Sequence, residues 1–354
     1  MSELTLRSPH DLPKLTDLSG TAGVLVDPED FRVEEIPAYL PTGEGEHVYL
    51  LIEKRRLTTP QAIQRLCSHF NVSSRDAGYA GLKDREAVTQ QWISLPGADL
   101  GLVASFEDEQ LRVLDVSRHT NKLRTGHLRG NRFTLVLHNV VEDALSRAEA
   151  VLERIAEVGL PNFYGPQRFG REGDNARVGL AALHGEGKLP RDRQRRRLII
   201  SAAQSQIFNE DVAERLESGT LVRLRGGEVL QRLDSGGIFV SEDATVDQPR
   251  LDTREVVITG PMCGPRMTRA LEGSPAALFE QQIFDRLGVV PDAFSRFGRL
   301  ARGGRRPVVV HPADVRVDKD IDAEGADQLT LRFSLPAGSY ATVLLREVCK
   351  GAFA

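Results

Sequence analysis

FTLVL at 133–137 places Phe133, Leu135 and Leu137 on one face of an extended strand, because successive side chains on a strand point to opposite sides. Nearly two hundred residues later LTLRFSL at 329–335 repeats the pattern, with Leu329, Leu331, Phe333 and Leu335 in phase. Both read as strands with one buried face. Around them the period changes to that of helices. VVEDALSRAEAVLERIAEVG at 140–159 repeats apolar residues near every 3.6 positions and ends at Gly159. SAAQSQIFNEDVAERL predicts a second helix from Ser201, and PQAIQRLCSHF a third after Thr58 and Thr59, with Pro60 in its first turn and Ile63, Leu66 and Phe70 on its apolar side. Mixed helices and strands over 354 residues, 40% of them hydrophobic, exceed one ordinary core and predict two domains. The Gly- and Pro-rich stretches LPNFYGPQRFGREGDN at 160–175 and RGGRRP at 302–307 mark candidate boundaries.

No run of eighteen apolar residues occurs, and MSELTLRSPHDLPKL has neither the apolar core nor the small-residue cleavage pattern of a signal peptide, so a soluble cytoplasmic protein is expected. Cys67, Cys263 and Cys349 are too few and too scattered for a disulfide framework or a zinc knuckle. No phosphate-cradling Gly-x-x-x-x-Gly-Lys loop and no dinucleotide fingerprint is present, so no cofactor and no metal is indicated; His47 reads as a structural or surface histidine. Absence of heptads favours a monomer with no protein partner.

The formal net charge of −4 argues against indiscriminate coating of nucleic acid, but the charge is unevenly placed. Between Asp115 and Glu142 there is no carboxylate, while Arg118, Lys122, Arg124, Arg129 and Arg132 fall in that interval. KLPRDRQRRR at 188–197 and RFGRLARGGRR at 296–306 are two further cationic stretches. Each alone is equally an ordinary solvated surface. Together they suggest a localised footprint for a polyanion.

In GYAGLKDREAVTQQW at 78–92, Asp84 lies between Lys83 and Arg85 within a turn of small residues. That setting suits an ionised carboxylate acting as nucleophile or general base, although spacing alone fits an ordinary surface ion pair as well. In HTNKLRTGHLRGNRFTLVL at 119–137, the backbone of Gly126 and Gly130 with Lys122, Arg124 and Arg129 suits phosphate contacts, Asn131 a base edge and Phe133 a stacking platform. A basic turn with Phe133 in the core fits the same pattern.

Taken in order, PEDFRVEEI (28–36), GEGEHVYL (43–50), GYAGLKDREAVTQQW (78–92), KLRTGHLRGNRFTL (122–135), LPNFYGPQRFG (160–170), LIISAAQSQIFN (198–209), TGPMCG (259–264) and RFSLPAGSYATVLLRE (332–347) resemble the TruD family of tRNA pseudouridine synthases nearly end to end. The resemblance implies an α/β (α+β) chain: a pseudouridine synthase catalytic domain with a mixed, largely antiparallel sheet, here 1–158 with 305–354, and an inserted family-specific α/β domain at 159–304, with RNA in the cleft between them. It implies Asp84 as the catalytic carboxylate and Phe31, Asn131 and Phe333 as substrate contacts, with Phe133 at the place of a stacking tyrosine in related families. Lys83, Arg85, Lys122, Arg124 and Arg129 are candidate phosphate contacts. Family members often carry a lysine at the place of Leu25, so the cation that partners Asp84 is left open. The implied reaction isomerises uridine, at position 13 of tRNA, without cofactor; a synthase acting on another RNA and a non-catalytic tRNA-binding protein are the competing readings.

Overall fold

The two alternating stretches pair with each other, Phe133 opposite Phe333, in the computed structural model, which describes residues 6–170, 172–322 and 324–351. In chain order the strands run β1 (Ala22–Val24), β2 (Phe31–Pro37), β3 (His47–Arg55), β4 (Gly78–Tyr79), β5 (Val88–Pro96), β6 (Leu111–His119) and β7 (Leu128–Val140). Six short strands follow: β8 (Leu160–Pro161), β9 (Val229–Arg232), β10 (Ile238–Val240), β11 (Val256–Met262), β12 (Gly304–Pro307) and β13 (Val309–Val310); β14 (Ala313–Ile321) and β15 (Asp327–Pro336) come last. The first seven and the last two form one sheet in the order β14-β15-β7-β2-β5-β3-β6, with β1 beside β7 and β4 beside β5. β2 and β5 run parallel, whereas β3–β5, β3–β6, β2–β7, β7–β15 and β14–β15 are antiparallel. This is the mixed, largely antiparallel sheet that the resemblance implied.

One helix, α1 (Thr59–His69), packs on the β3–β5 part of this sheet, burying Ala62, Ile63, Leu66 and Cys67 against Val48, Leu50, Ile52, Ile93 and Leu95. Its start is fixed locally: the Gln61 amide donates to Thr58 Oγ1 while the Gln61 carboxamide accepts from the Thr58 amide, and Pro60 occupies the first turn. Residues 19–152 and 312–338 make up this unit.

Residues 1–18, 153–311 and 339–354 make up the other. Its sheet runs β10-β9-β11-β12, with β8 and β13 paired separately. Around it lie α3 (Asn175–Leu183), α4 (Arg193–Glu217), α5 (Ala244–Asp252), α6 (Pro275–Arg286) and α7 (Ala341–Cys349). The remaining helix, α2 (Ala144–Val158), carries the chain from one unit into the other and stops where the sequence indicates, at Gly159, whose φ of +92° is left-handed and whose amide donates to Ile155 O at 2.8 Å.

The sequence boundaries assign both termini to the strand-rich part of the chain; the structure groups residues 1–18 and 339–354 with 153–311 instead. The two terminal segments brace one another: Leu15 N donates to Glu347, Arg346 to Pro13 O, and Lys350 to Thr16. A second difference concerns α4, which begins at Arg193 rather than near Ser201. The Arg-rich run reads as a solvated stretch, but Asp192 accepts from Arg195 N at 2.7 Å as an N-cap, and arginine is a good helix former. All three cysteines are buried, and none is in a disulfide. Among the described residues, no helix is long and apolar enough to cross a membrane.

Candidate active site

Cross-strand pairing sets out one face of the large sheet as a row. Lys54 on β3 pairs with Thr89 on β5, Thr89 with Val33 on β2, Val33 with Phe133 on β7, and Phe133 with Phe333 on β15. Two residues along, the same face presents Gln91, Glu35 and Asn131, the last two paired directly. The face is therefore aromatic at the β7–β15 end and polar at the β3–β5–β2 end. Thr89 and Gln91 are fully buried.

Those polar groups hold the loop between β4 and β5 at Gly81, Lys83 and Asp84. Gln91 donates to Gly81 O at 3.2 Å and accepts from Thr59 at 2.9 Å; Thr59 in turn accepts from Lys83 N at 3.0 Å. The Lys83 ammonium donates to Asn131 Oδ1 at 2.5 Å and lies 3.1 Å from Glu35 Oε2. Lys54 donates to Asp84 O at 2.5 Å. Asp84 itself is exposed, and its Oδ1 accepts from Glu86 N at 3.2 Å, a local turn that restrains the carboxylate.

Burial governs the charges beneath the loop. Desolvation pushes the Glu35 carboxyl up, against the pull of Lys83, and pushes the Lys83 ammonium down, against Glu35. Glu35 Oε2, although close to Lys83, has no well-aligned donor. Desolvation also lowers Lys54, to about 8, with Asp84 favouring its charge and Lys83 opposing it.

The cationic segment after β6 closes on this loop. Gly126 N donates to Ala80 O at 2.8 Å, and Leu123 N to Ser94 Oγ at 3.0 Å. Gly78 is required there, since a Cβ would meet Leu123 O at 2.3 Å and Ser94 Oγ at 2.4 Å. Arg124 and Arg129 are exposed, as is Arg85, which reaches Glu86 at 3.6 Å; Lys122 is half-buried and donates to Arg75 O.

The structure thus brings Asp84, Lys83, Asn131 and the 122–129 segment together. Two expected contacts take another form. Lys83, expected at a phosphate, is buried and committed to Glu35 and Asn131. Phe133 and Phe333 are 6% and 1% exposed and stack on each other at 5.3 Å, while the half-buried Phe31 ring lies 6.2 Å from Phe133 and is the open end of the ladder. Sequence reasoning missed Glu35, Lys54, Thr59 and Gln91. A signal existed for two of them: Glu35 is in phase with Phe31 and Val33, and Lys54 with Val48, Leu50 and Ile52, so each places a charge on an otherwise apolar face.

The other unit carries a basic groove of about 1060 Å³ where the second and third cationic stretches meet. Arg193 and Arg197 come from the first turns of α4, Arg299 and Arg302 from the segment before β12, and Arg305 and Arg306 from β12 itself. Asp192 is the one carboxylate among the lining residues, and it is engaged as the α4 cap. Arg306 lies 4.1 Å over the Tyr164 ring, and Arg305 is paired with Glu280, which leaves the arginines of α4 and the preceding segment to face the open groove.

The family model for tRNA pseudouridine synthase D (TruD) matches residues 13–192 and 187–348. The chain is 46% identical over 347 residues to tRNA pseudouridine synthase D of Anaeromyxobacter sp. Fw109-5, covering 96% of each. It is 42% identical over 345 residues to tRNA pseudouridine synthase D of Thermus thermophilus, covering 97% of this chain and 93% of the relative. Among solved structures, a Methanosarcina mazei protein described as TruD superimposes with a TM-score of 0.76 over 96% of both chains at 24% identity, a likeness of fold. With its mixed sheet and matches of this length, the chain belongs to the TruD family of tRNA pseudouridine synthases, which are isomerases.

Proposed function

We propose that the protein isomerises uridine to pseudouridine at position 13 of tRNA, with Asp84 as the reacting carboxylate, in the cytoplasm and as a monomer. The observation that carries this reading is an exposed carboxylate on a loop held to a buried polar face at Gly81, at Lys83 and at the Asp84 carbonyl. A reaction that breaks the bond between ribose C1′ and N1, turns the uracil and joins its C5 to C1′ gains and loses no group overall: the proton leaving C5 is balanced by one gained at N1. It needs a fixed carboxylate and a means of holding the detached base. Asp84 acts at the ribose, by attack on C1′ or by taking the C2′ proton.

The target base must leave its stack, which costs a few kcal/mol. Phosphate contacts and stacking offset that cost. Arg85 lies on the Asp84 loop and Lys122, Arg124 and Arg129 on the segment that closes on it, and the arginine groove of the other unit offers a further polyanion surface. Phe31 presents a partly open ring for the base, supported behind by Phe133 and Phe333. Asn131, held by Lys83, has its amide group for the uracil edge. The strand-rich unit thereby carries the chemistry.

The test is incubation of the purified protein with unmodified tRNA bearing uridine at position 13, followed by pseudouridine mapping, with Asp84→Asn alongside. Signal at that position, lost in the variant, is the expected result. Signal at a different uridine or in another RNA overturns the assigned target, and no signal from a folded, tRNA-binding protein overturns the catalytic reading.

A further inference from the structure

Lys54 stands where an ammonium is costly. It is fully buried and in phase with Val48, Leu50 and Ile52, three core side chains of β3. Removing such a charge from water costs several kcal/mol unless hydrogen bonds and opposite charge replace the solvent. Its ammonium donates to Leu57 O at 2.6 Å and to Asp84 O at 2.5 Å, which joins the turn leaving β3 to the Asp84 peptide. A methionine would fill the same volume without the desolvation cost, but it would release both carbonyls.

The consequence for Asp84 is geometric. Upstream, Lys83 N is fixed by Thr59; downstream, Asp84 O is fixed by Lys54. The Asp84 Cα therefore lies between two anchored points of the backbone, and Glu86 N restrains the carboxylate itself. We propose that Lys54 is a positioning residue for the isomerisation: its ammonium, acting from beneath the loop, fixes the Asp84 backbone and with it the direction of the carboxylate. This rests on Asp84 being the reacting group. The electrostatics agree with the geometry, since Asp84 is the charge that favours the protonated Lys54 in its buried place.

The role predicts a loss of rate without a loss of RNA affinity. Lys54→Met and Lys54→Ala would be measured in single turnover on tRNA bearing uridine at position 13, with dissociation constants from filter binding and folding checked by thermal melts. Lys54→Met should slow the single-turnover step roughly 100-fold, as expected for a misplaced reacting group, while binding changes less than about twofold. In Lys54→Ala, added n-propylammonium, the portion of the side chain removed, should restore rate, and n-propanol should not. A folded Lys54→Met within about threefold of the wild-type rate overturns the proposal. So does rescue by propanol equal to that by propylammonium, since packing volume and not charge would then be what matters. Asp84→Asn run in parallel separates the two layers. Retained turnover there defeats the reading of Asp84, whereas lost turnover there beside an unaffected Lys54→Met defeats only the role of Lys54.

Discussion

Two of the groups of buried charge in this chain are satisfied to different degrees. On α4, Arg215 donates to Asp211 at 3.0 Å and with two nitrogens to Glu228 at 2.8 and 3.0 Å, and it lies 4.8 Å over the Phe279 ring. Two carboxylates hold its charge up, against the effect of burial. Beneath the Asp84 loop the matching is poorer. Glu35 Oε2 lacks an aligned donor, Lys83 is pushed down by burial, and Lys54 donates to carbonyls. The first arrangement is what a structural ion network needs, although Asp211 Oδ2 remains without a hydrogen bond. The second keeps charge at an energetic cost directly under a functional loop, where perturbed groups tend to gather. Buried charge alone would not have told the two apart; the quality of its pairing does.

Breaking each cluster should give opposite signatures. The largest effect expected is on turnover: Asp84→Asn should lower the single-turnover rate by about 1000-fold or more, with tRNA affinity kept, as read by pseudouridine mapping beside filter binding. Next comes Arg215→Ala, which strands Asp211 in the core, leaves Glu228 with only Arg225 at 3.6 Å, and should cost about 3–5 kcal/mol in denaturant unfolding, while the folded fraction keeps its rate per molecule. A catalytic loss exceeding the loss of folded protein would erase the distinction drawn here. Asn131→Ala removes the acceptor of Lys83 and should cost roughly 1–3 kcal/mol, expressed in substrate affinity and rate more than in melting temperature.

The smallest effect sharpens the comparison through pH. Burial holds Lys54 down to about 8, while the unfolded chain keeps the ordinary lysine value of 10.5. Between those values the unfolded state binds more protons than the folded one. The stability of wild type relative to Lys54→Met should therefore rise as pH increases through that window, by about 1 kcal/mol from pH 7 to 9, with the burial penalty fully present below it. Paired thermal melts at the two pH values read this directly. A difference that stays flat would show that Lys54 is not titrating in its buried place.

Much of the fold was legible because alternation and helical period are local. Phe133 and Phe333 were placed on strand faces from their neighbours alone, and Gly159 and Thr58 marked helix ends that the structure keeps. That Phe133 and Phe333 would lie opposite one another is a matter of register between strands far apart in sequence, which no local pattern carries. The site divides in the same way. Asp84 was legible as a loop acid, but the groups beneath it come from β3, α1, β5 and β2 and meet only after the sheet has formed. Lys83 looked like a surface cation since its neighbours in sequence are a loop, yet Glu35 and Asn131 draw it into the interior.

The pairing of β7 with β15 also has a meaning in time. One side of β7 is met by β1 and β2, made earlier; the other side waits for β15, which leaves the ribosome only after the whole of residues 153–311. At synthesis rates of about 5–20 residues per second, that edge stays unpaired for roughly 10–40 seconds. During that interval Phe133, Leu135 and Leu137 belong to an open strand while residues 153–311 of the other unit are made, and that unit in turn waits for residues 339–354, which follow β15.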